Sequence, residues 1–372
     1  MWSVSLRLFI YVGIILGIVA AASLRGVSSG NIIYEIGMNF ALAGFAILIL
    51  QVILAARFKW IERPVGFDIL IRYHKYMALF AALLIIMHPL LLAAGGAGWR
   101  IIYALDVPWY IWFGRIAFII AIVNVLLSVY QGRIKLKFEK WRFTHDILGP
   151  SIIGLAFIHS LIVGDDLELR FMKIIWIAAL ALAVIIFSYH RIARPLILKN
   201  RPYRVIDVHP EAENVWTIKL APPEGRTVNP YLPGQFHFIT FYRGRNLPVE
   251  EHHWTISSSP AKKGYVTSTI KALGDFTATM GETRKGDKAA VHGAFGRFSY
   301  ALHPEERDLV FIAGGIGITP LMSMLRHMRD TRDTRSVLLL YANSDRDHIV
   351  FMQELDQIEK NGRPSLKIVH VL

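Results

Sequence analysis

Up to about Tyr189 the chain offers one apolar run after another, each near the ~20 residues that cross a bilayer as a helix, and none follows Arg191. That split forces two folding regimes. The first half must satisfy its backbone in lipid, and the second half folds in water. Six candidate spans run roughly from Leu8 to Ala22, Phe40 to Ala56, Ile71 to Ala94, Trp109 to Tyr130, Phe143 to Val163 and Phe171 to Tyr189. Arg7 before the first run and Ala20-Ala21-Ala22 at its end also fit a cleavable signal peptide. A retained helix is the expectation, and either choice leaves the later topology unchanged.

With 54% hydrophobic and 19% charged residues the composition agrees with a membrane protein. The net charge of +13 suggests nucleic acid only until the cations are located. Arg57, Lys59, Arg63, Arg72 and Lys75, then Arg133, Lys135, Lys137, Lys140 and Arg142, then Arg191, Arg194, Lys199, Arg201 and Arg204 fall on alternate connections, on one side. The positive-inside rule makes that side cytoplasmic, so the chain is expected to be integral to a bacterial-type plasma membrane with its C-terminal half in the cytoplasm. Membrane lipid, not nucleic acid, is the expected partner of the basic loops. The chain has no cysteine, which excludes disulfides, thiolate metal sites, iron–sulfur clusters and thioether-linked haem.

His74 and His88 in the third span are fourteen residues apart, and His145 and His159 in the fifth repeat that spacing. Fourteen residues at ~100° each return to within about 40° of the same face, and at ~1.5 Å rise they cover roughly 21 Å. Spans three and five run in the same direction, which levels His74 with His145 near the cytoplasm and His88 with His159 near the outer side. Two facing imidazoles at one level can be the axial ligands of a b-type haem, so four haem-iron ligands and two haems are expected. Proton relays usually recruit acids, and the interiors of these spans contain none. Arg72, Lys75 and Arg142 at the inner end and Arg100 at the outer end are candidate propionate partners.

From Pro202 to about Tyr300, short alternating segments such as Val215 to Leu220 and Phe236 to Phe241 predict an antiparallel β-barrel. From Asp308 onward strands and helices alternate, which predicts a parallel, doubly wound sheet. The stretch Glu251 to Pro260 ends in hydroxyls, and Thr255 and Ser257 could hydrogen-bond the polar edge of a flavin. Lys271 precedes the turn Gly274-Asp275-Phe276-Thr277, whose amides could hold a pyrophosphate. Phe311 to Pro320, with Gly314, Gly315, Gly317, Thr319 and Pro320, is a glycine turn between strand and helix, suited to a nucleotide. Thr319 is a candidate cap and Pro320 a candidate first helical residue. Ser344 and Arg346, beside Asn343 after the next strand, suit a 2′-phosphate and favour NADPH over NADH.

In this order the features resemble the ferric reductase and NADPH oxidase superfamily over nearly the whole chain. That resemblance implies a multidomain protein: a six-helix, all-α membrane haem b domain at 1–195, an antiparallel β-barrel FAD domain at 200–303 and an incomplete α/β nucleotide-binding lobe at 304–372. The family's His-Pro-Phe-Thr flavin motif reads here His252-His253-Trp254-Thr255, and Gly293-Ala294-Phe295-Gly296 resembles its Gly-Pro-Phe-Gly turn. By analogy FAD falls to His252, Trp254, Thr255, Ser257, Lys271, Gly274, Asp275, Phe276 and Thr277, and NAD(P)H to Gly314, Gly315, Gly317, Thr319, Pro320, Ser344 and Arg346. The family's Cys-Gly-Pro motif is not found before Leu372, so the lobe is expected to be short of the family length. Leu92 stands where animal superoxide-producing oxidases carry a further His, which leaves the acceptor open.

The implied activity is a flavocytochrome b oxidoreductase of ferric reductase or NADPH oxidase type. NAD(P)H reduces FAD in the cytoplasm, and electrons cross through the two haems to an outer acceptor, ferric chelate or O2. The alternative is a haem and flavin membrane subunit without NAD(P)H turnover of its own.

Overall fold

The computed structural model describes residues 2–22 and 30–372 and divides into two compact units, 1–192 and 193–372. The first unit is helical: α1 (Trp2–Ala22), α2 (Ile32–Ala55), α3 (Lys59–Val65), α4 (Phe67–Leu92), α5 (Arg100–Tyr103), α6 (Trp109–Tyr130), α7 (Phe138–Val163) and α8 (Arg170–Ser188). Six helical stretches are long and apolar enough to cross a membrane, as the hydropathy pattern predicts. Their ends lie beyond the apolar runs. The Asn31 Oδ1 accepts from the amides of Ile33 and Tyr34 and starts α2 at Ile32, ahead of Phe40. Polar turns likewise extend α7 back to Phe138, and a π-helical turn, Ala93–Ala97, continues the third span.

In this bundle α2 packs along α4 and α6 along α7. Trp176 is fully buried, stacks on Phe45 with ring centroids 5.0 Å apart and donates its indole N–H to Ser160 Oγ at 3.0 Å. The opposite face of α8 leaves Ile174, Ile177, Val184 and Ile185 exposed, as a lipid-facing surface requires.

The second unit opens with α9 (Arg194–Asn200) and continues through β1 (Tyr203–Ala212), β2 (Val215–Ala221), β3 (Phe236–Tyr242), β4 (Glu251–Thr255), β5 (Val266–Lys271), α10 (Asp275–Ala278) and β6 (Lys288–Phe295). The strands form one antiparallel sheet in the order β4-β3-β6-β1-β2-β5. Alternation drives it: Ile218 and Leu220 of β2 and Ile239 and Phe241 of β3 enter one core.

The expected closed barrel is not formed, because β4 and β5 share no ladder. β4 runs out at Thr255, and beyond it Ser257 donates its amide to Thr267 O at 2.8 Å while Ser258 Oγ accepts the Thr267 amide at 3.0 Å. A side chain therefore takes the place of a second ladder bond.

The chain then forms β7 (Asp308–Gly314), α11 (Thr319–Thr331), β8 (Ser336–Ala342), α12 (Met352–Asn361) and β9 (Ser365–Val371). The three strands are parallel in the order β7-β8-β9. Sequential order with crossovers of one hand puts both helices on the same face, so the sheet is not doubly wound as expected. Leu321, Leu325 and Met328 of α11 and Leu355 and Ile358 of α12 bury that face with Val337, Leu339 and Tyr341. On the other face Val310 is 62% and Ile312 74% exposed.

Helix α11 is seated on the end of the antiparallel sheet. Ser323 Oγ donates to Ser258 O and Arg326 Nη1 to Ser257 O, both at 2.7 Å. Arg326 also grips Glu354 of α12, with Nη2 2.6 Å from Oε2, and Arg329 Nη1 reaches Oε1 at 2.8 Å.

Burial raises the Glu354 pKa, but the hydrogen bonds and charges of the two arginines outweigh it and hold the carboxyl below its ordinary value. The carboxylate thus stabilises the fold above the ordinary carboxylate range, and the contribution is lost as pH falls through the lowered pKa. Glu354→Gln is expected to cost about 2 kcal/mol at neutral pH. Hydrogen exchange on the full chain should show faster opening of α11 and α12 in the variant, with the difference vanishing in acid; equal exchange at neutral pH would contradict this role.

Candidate functional site

The fourteen-residue spacing places each histidine pair along one helix, and neighbouring residues fix the ring orientations. His88 Nδ1 lies 2.9 Å from Gly37 O, His159 Nδ1 3.0 Å from Tyr110 O and His145 Nδ1 3.0 Å from Asn124 Oδ1. A carbonyl oxygen only accepts, so each Nδ1 carries the proton and each Nε2 keeps a free lone pair. This is the arrangement in which imidazole binds a metal. His74 Nδ1 is buried with no partner among the described residues.

The His74 and His145 ring centroids are 6.3 Å apart at 71°, enough for one metal ion at roughly 2 Å from each ring. Trp141 stacks on His145 at 5.4 Å. Gly114 cradles His159: a Cβ there would fall 2.9 Å from three ring atoms. These nitrogen donors, three of them held at their far sides and the acid nearest in sequence, Asp146, taken up by Arg191, fit bis-imidazole coordination of haem iron.

Asn124, Gly114 and Arg115 belong to α6, and none was singled out from sequence. A lone Asn and a lone Arg inside an apolar span were the available signal. Arg100 and Arg72, expected near propionates, make ion pairs with Asp106 at 2.9 Å and Asp68 at 3.6 Å.

In the second unit the structure gathers His252, Trp254 and Phe276. His252 lies 4.3 Å from Phe276 between ring centroids, and Trp254 stacks on Phe276 at 6.0 Å and 22°. His252 Nε2 is 2.8 Å from Glu250 Oε2. Arg243 lies under this floor, 5.2 Å from the Phe276 ring, and bonds Thr279 O at 2.8 Å.

Beside the floor, Thr277 Oγ1 takes the amides of Leu273 and Gly274 at 2.8 and 2.9 Å, and Asp275 Oδ1 that of Phe276 at 3.0 Å. The Gly274 turn is thus preshaped by its own side chains, and two of its amides are already engaged. Thr255 closes β4 opposite Phe236. Ser257 stands apart: it is fully buried, its Oγ 2.8 Å from Thr267 Oγ1 and 3.0 Å from Thr269 Oγ1. Its hydroxyl is spent inside the protein.

A cavity of about 350 Å³ opens at the C-terminal ends of β7 and β8, where Lys271, Gly315, Ile316, Asn343, Ser344 and His348 contribute to its wall. In parallel sheets this is where ligands bind. Lys271, expected beside FAD, faces this cavity instead of sharing the aromatic floor. Gly315 has φ +48°, in the left-handed region, and Tyr341 donates its hydroxyl to Gly315 O at 3.1 Å, which fixes the turn.

The Asn343 side-chain amide is out of solvent beside Tyr341, and its backbone N–H donates to Val371 O at 2.9 Å. His348 Nδ1 is 2.7 Å from Asp345 Oδ1, and the hydrogen bond from His348 holds the Asp345 carboxyl below its usual range. Gly314, Gly317, Thr319 and Pro320 form the strand end, the following turn and the start of α11; Arg346 lies in the Ser344 loop outside the cavity wall. Thr319 is not the cap: it is the first helical residue, with Pro320 second, and its hydroxyl donates to Ile316 O at 3.2 Å.

Comparison with known proteins adds two family matches. Residues 40–156 match the ferric reductase like transmembrane component, and residues 311–372 match the oxidoreductase NAD-binding domain. Among curated relatives, the flavohemoprotein of Bordetella pertussis is 28% identical over 149 residues, 38% of this chain and 37% of that protein. The reductase component of propane 2-monooxygenase from Rhodococcus jostii is 29% identical over 157 residues, 41% and 40% of the two chains. NADH oxidoreductase HCR of Escherichia coli is 30% identical over 147 residues, 39% and 44%.

The chain thus spans about two fifths of the length of these relatives. The flavohem-like FAD/NAD-binding domain of nitric oxide dioxygenase from Vibrio cholerae is similar over 46% of this chain and 73% of that one, with 22% identity and a TM-score of 0.41. A stretch similar to the membrane component of the one family is thus joined, in a single chain, to a stretch similar to the nucleotide domain of the other.

Proposed function

We propose that the chain passes electrons from cytoplasmic NAD(P)H, through FAD and two b-type haems, to an acceptor on the outer side, ferric chelate or O2. The observation that carries this reading is the set of four membrane histidines, three with Nδ1 bonded and Nε2 left free, within a ferric reductase like membrane component. Flavin converts a two-electron donor into single-electron steps and haem iron carries electrons one at a time, which is the chemistry these groups supply when bound.

The chain's own residues position them. His74 with His145 and His88 with His159 are the proposed ligand pairs, and their bonds to Gly37, Tyr110 and Asn124 fix ring tautomer and orientation. His252, Trp254 and Phe276 offer FAD an aromatic surface beside the Gly274 turn. The cavity at Gly315 and Ser344 receives NAD(P)H, with Lys271 supplying positive charge. Ser344 and Arg346 favour the 2′-phosphate of NADPH. The flavoprotein and NADH oxidoreductase relatives support the flavin and the donor. The clustering of Lys and Arg on alternate connections supports a cytoplasmic second unit.

Two experiments test this reading. Anaerobic addition of NAD(P)H to the full chain in detergent, loaded with FAD, should give a reduced b-haem spectrum. Bound haem and FAD that stay oxidised would contradict the donor and leave a membrane subunit without its own turnover.

Gly315→Val puts a β-branched residue where φ is positive, at about 1–2 kcal/mol, so NAD(P)H should bind roughly tenfold more weakly. Titration of the full chain with NADP+ measures this, and unchanged affinity would place the nucleotide elsewhere.

A further inference from the structure

Arg115 is a cation inside an otherwise apolar span, and such a residue is costly unless it does something there. Its guanidinium donates from Nη1 to Ala104 O at 2.5 Å and from Nη2 to Ile101 O at 2.8 Å, and lies 5.0 Å from the Trp112 ring. Its Nε is buried and has no partner among the described residues. Carbonyls and a ring orient a cation but do not neutralise it. Asp106, the acid of the same connecting loop, is occupied by Arg100.

The residue before Arg115 is Gly114, against which the His159 ring rests, and Tyr110 one turn earlier holds His159 Nδ1. Among the described residues no carboxylate pairs with Arg115, and its charge adjoins the His88/His159 position. At the His74/His145 position the arrangement differs: Asp146, next to His145, is paired with Arg191, so that charge is cancelled. Arg72 and Lys75 of α4, at that end, are exposed, where solvent and salt screen them.

We propose that Arg115 sets the electrical asymmetry of the path, its positive charge stabilising the reduced form of the group held by His88 and His159 and making that position the more oxidising. This rests on the haem reading above. One electron leaves the His74/His145 position, which is oxidised, and enters the His88/His159 position, which is reduced. No proton moves, and the charge gained at the receiving position is offset by the fixed guanidinium. A low-dielectric span lets that offset act over the distance between neighbouring side chains. Arg115 is thus a positioning residue of electrostatic kind, and it directs electrons toward the outer acceptor.

The test is a spectroelectrochemical titration of the full haem-loaded chain in detergent, without NAD(P)H, with the His74→Ala background used to identify the His88/His159 midpoint. Arg115→Gln should lower that midpoint by at least a tenfold change in the one-electron equilibrium, 59 mV, and leave the other in place. Arg115→Lys, which keeps the charge, should stay near the parent value. Ile111→Glu, one turn before Arg115, leaves the guanidinium in place but neutralises it, and should reproduce the Gln shift.

If Arg115→Gln fails to retain haem, Ile111→Glu decides. Unmoved midpoints in the charge-removing variants, or a Lys variant shifted as far as Gln, would overturn the proposal. A parent chain that binds no haem would instead refute the haem reading, and this is visible before any titration.

Discussion

An imidazole in hydrocarbon has two ring nitrogens and no water, so a protein acceptor on one nitrogen fixes the ring and its tautomer. In the first unit that constraint organises the bundle. Gly37 of α2, Tyr110 and Asn124 of α6 each spend an acceptor on an Nδ1 of α4 or α7, so four helices are registered by three hydrogen bonds. The Nε2 atoms of these three rings are left with a free lone pair. Gly114 follows from the same constraint, since any side chain there would push His159 from its carbonyl. The helix packing that builds the bundle and the chemistry it can host are therefore one set of contacts.

The second unit is organised differently, around the junction of its two sheets. It couples an antiparallel sheet to a parallel one through α11, whose Ser323 and Arg326 grip the carbonyls of Ser258 and Ser257. The same serine run closes the edge of the antiparallel sheet. A short segment thus fixes both the flavin-side strands and the helix that follows the glycine turn, and Glu354 extends the grip to α12. The cavity at the ends of β7 and β8 inherits its shape from this docking, with Lys271 contributed by the antiparallel sheet.

Much of this was legible in the residues. Membrane-length runs and the repeated fourteen-residue spacing depend only on hydropathy and helix period, and both survive in the structure. Partners of the histidines were not legible where they are backbone oxygens of Gly37 and Tyr110, because a carbonyl has no sequence signature. Asn124 and Arg115 were visible as polar residues in an apolar span, but only the packing of α6 on α7 gives them a meaning. The closed barrel and the doubly wound sheet failed for one reason: strand order and edge pairing are set by contacts distant in sequence, here the early end of β4 and the sequential order of β7, β8 and β9. Lys271 and Ser257 show the same limit at the scale of one side chain. Their neighbours in sequence point to flavin, while their position on the strand sends one to the wall of the cavity at the ends of β7 and β8 and the other into the core.

The central claim is that the two histidine pairs are two independent metal-ligand sites stacked across the membrane. The most direct measurement is the haem-to-protein ratio of the purified full chain and of the His74→Ala and His88→Ala variants, read from the pyridine haemochrome spectrum. The account predicts two haems b in the parent and one in each variant, with both variants still folded as membrane bundles. A parent ratio of one or none, or a single substitution that leaves the ratio unchanged, would contradict it.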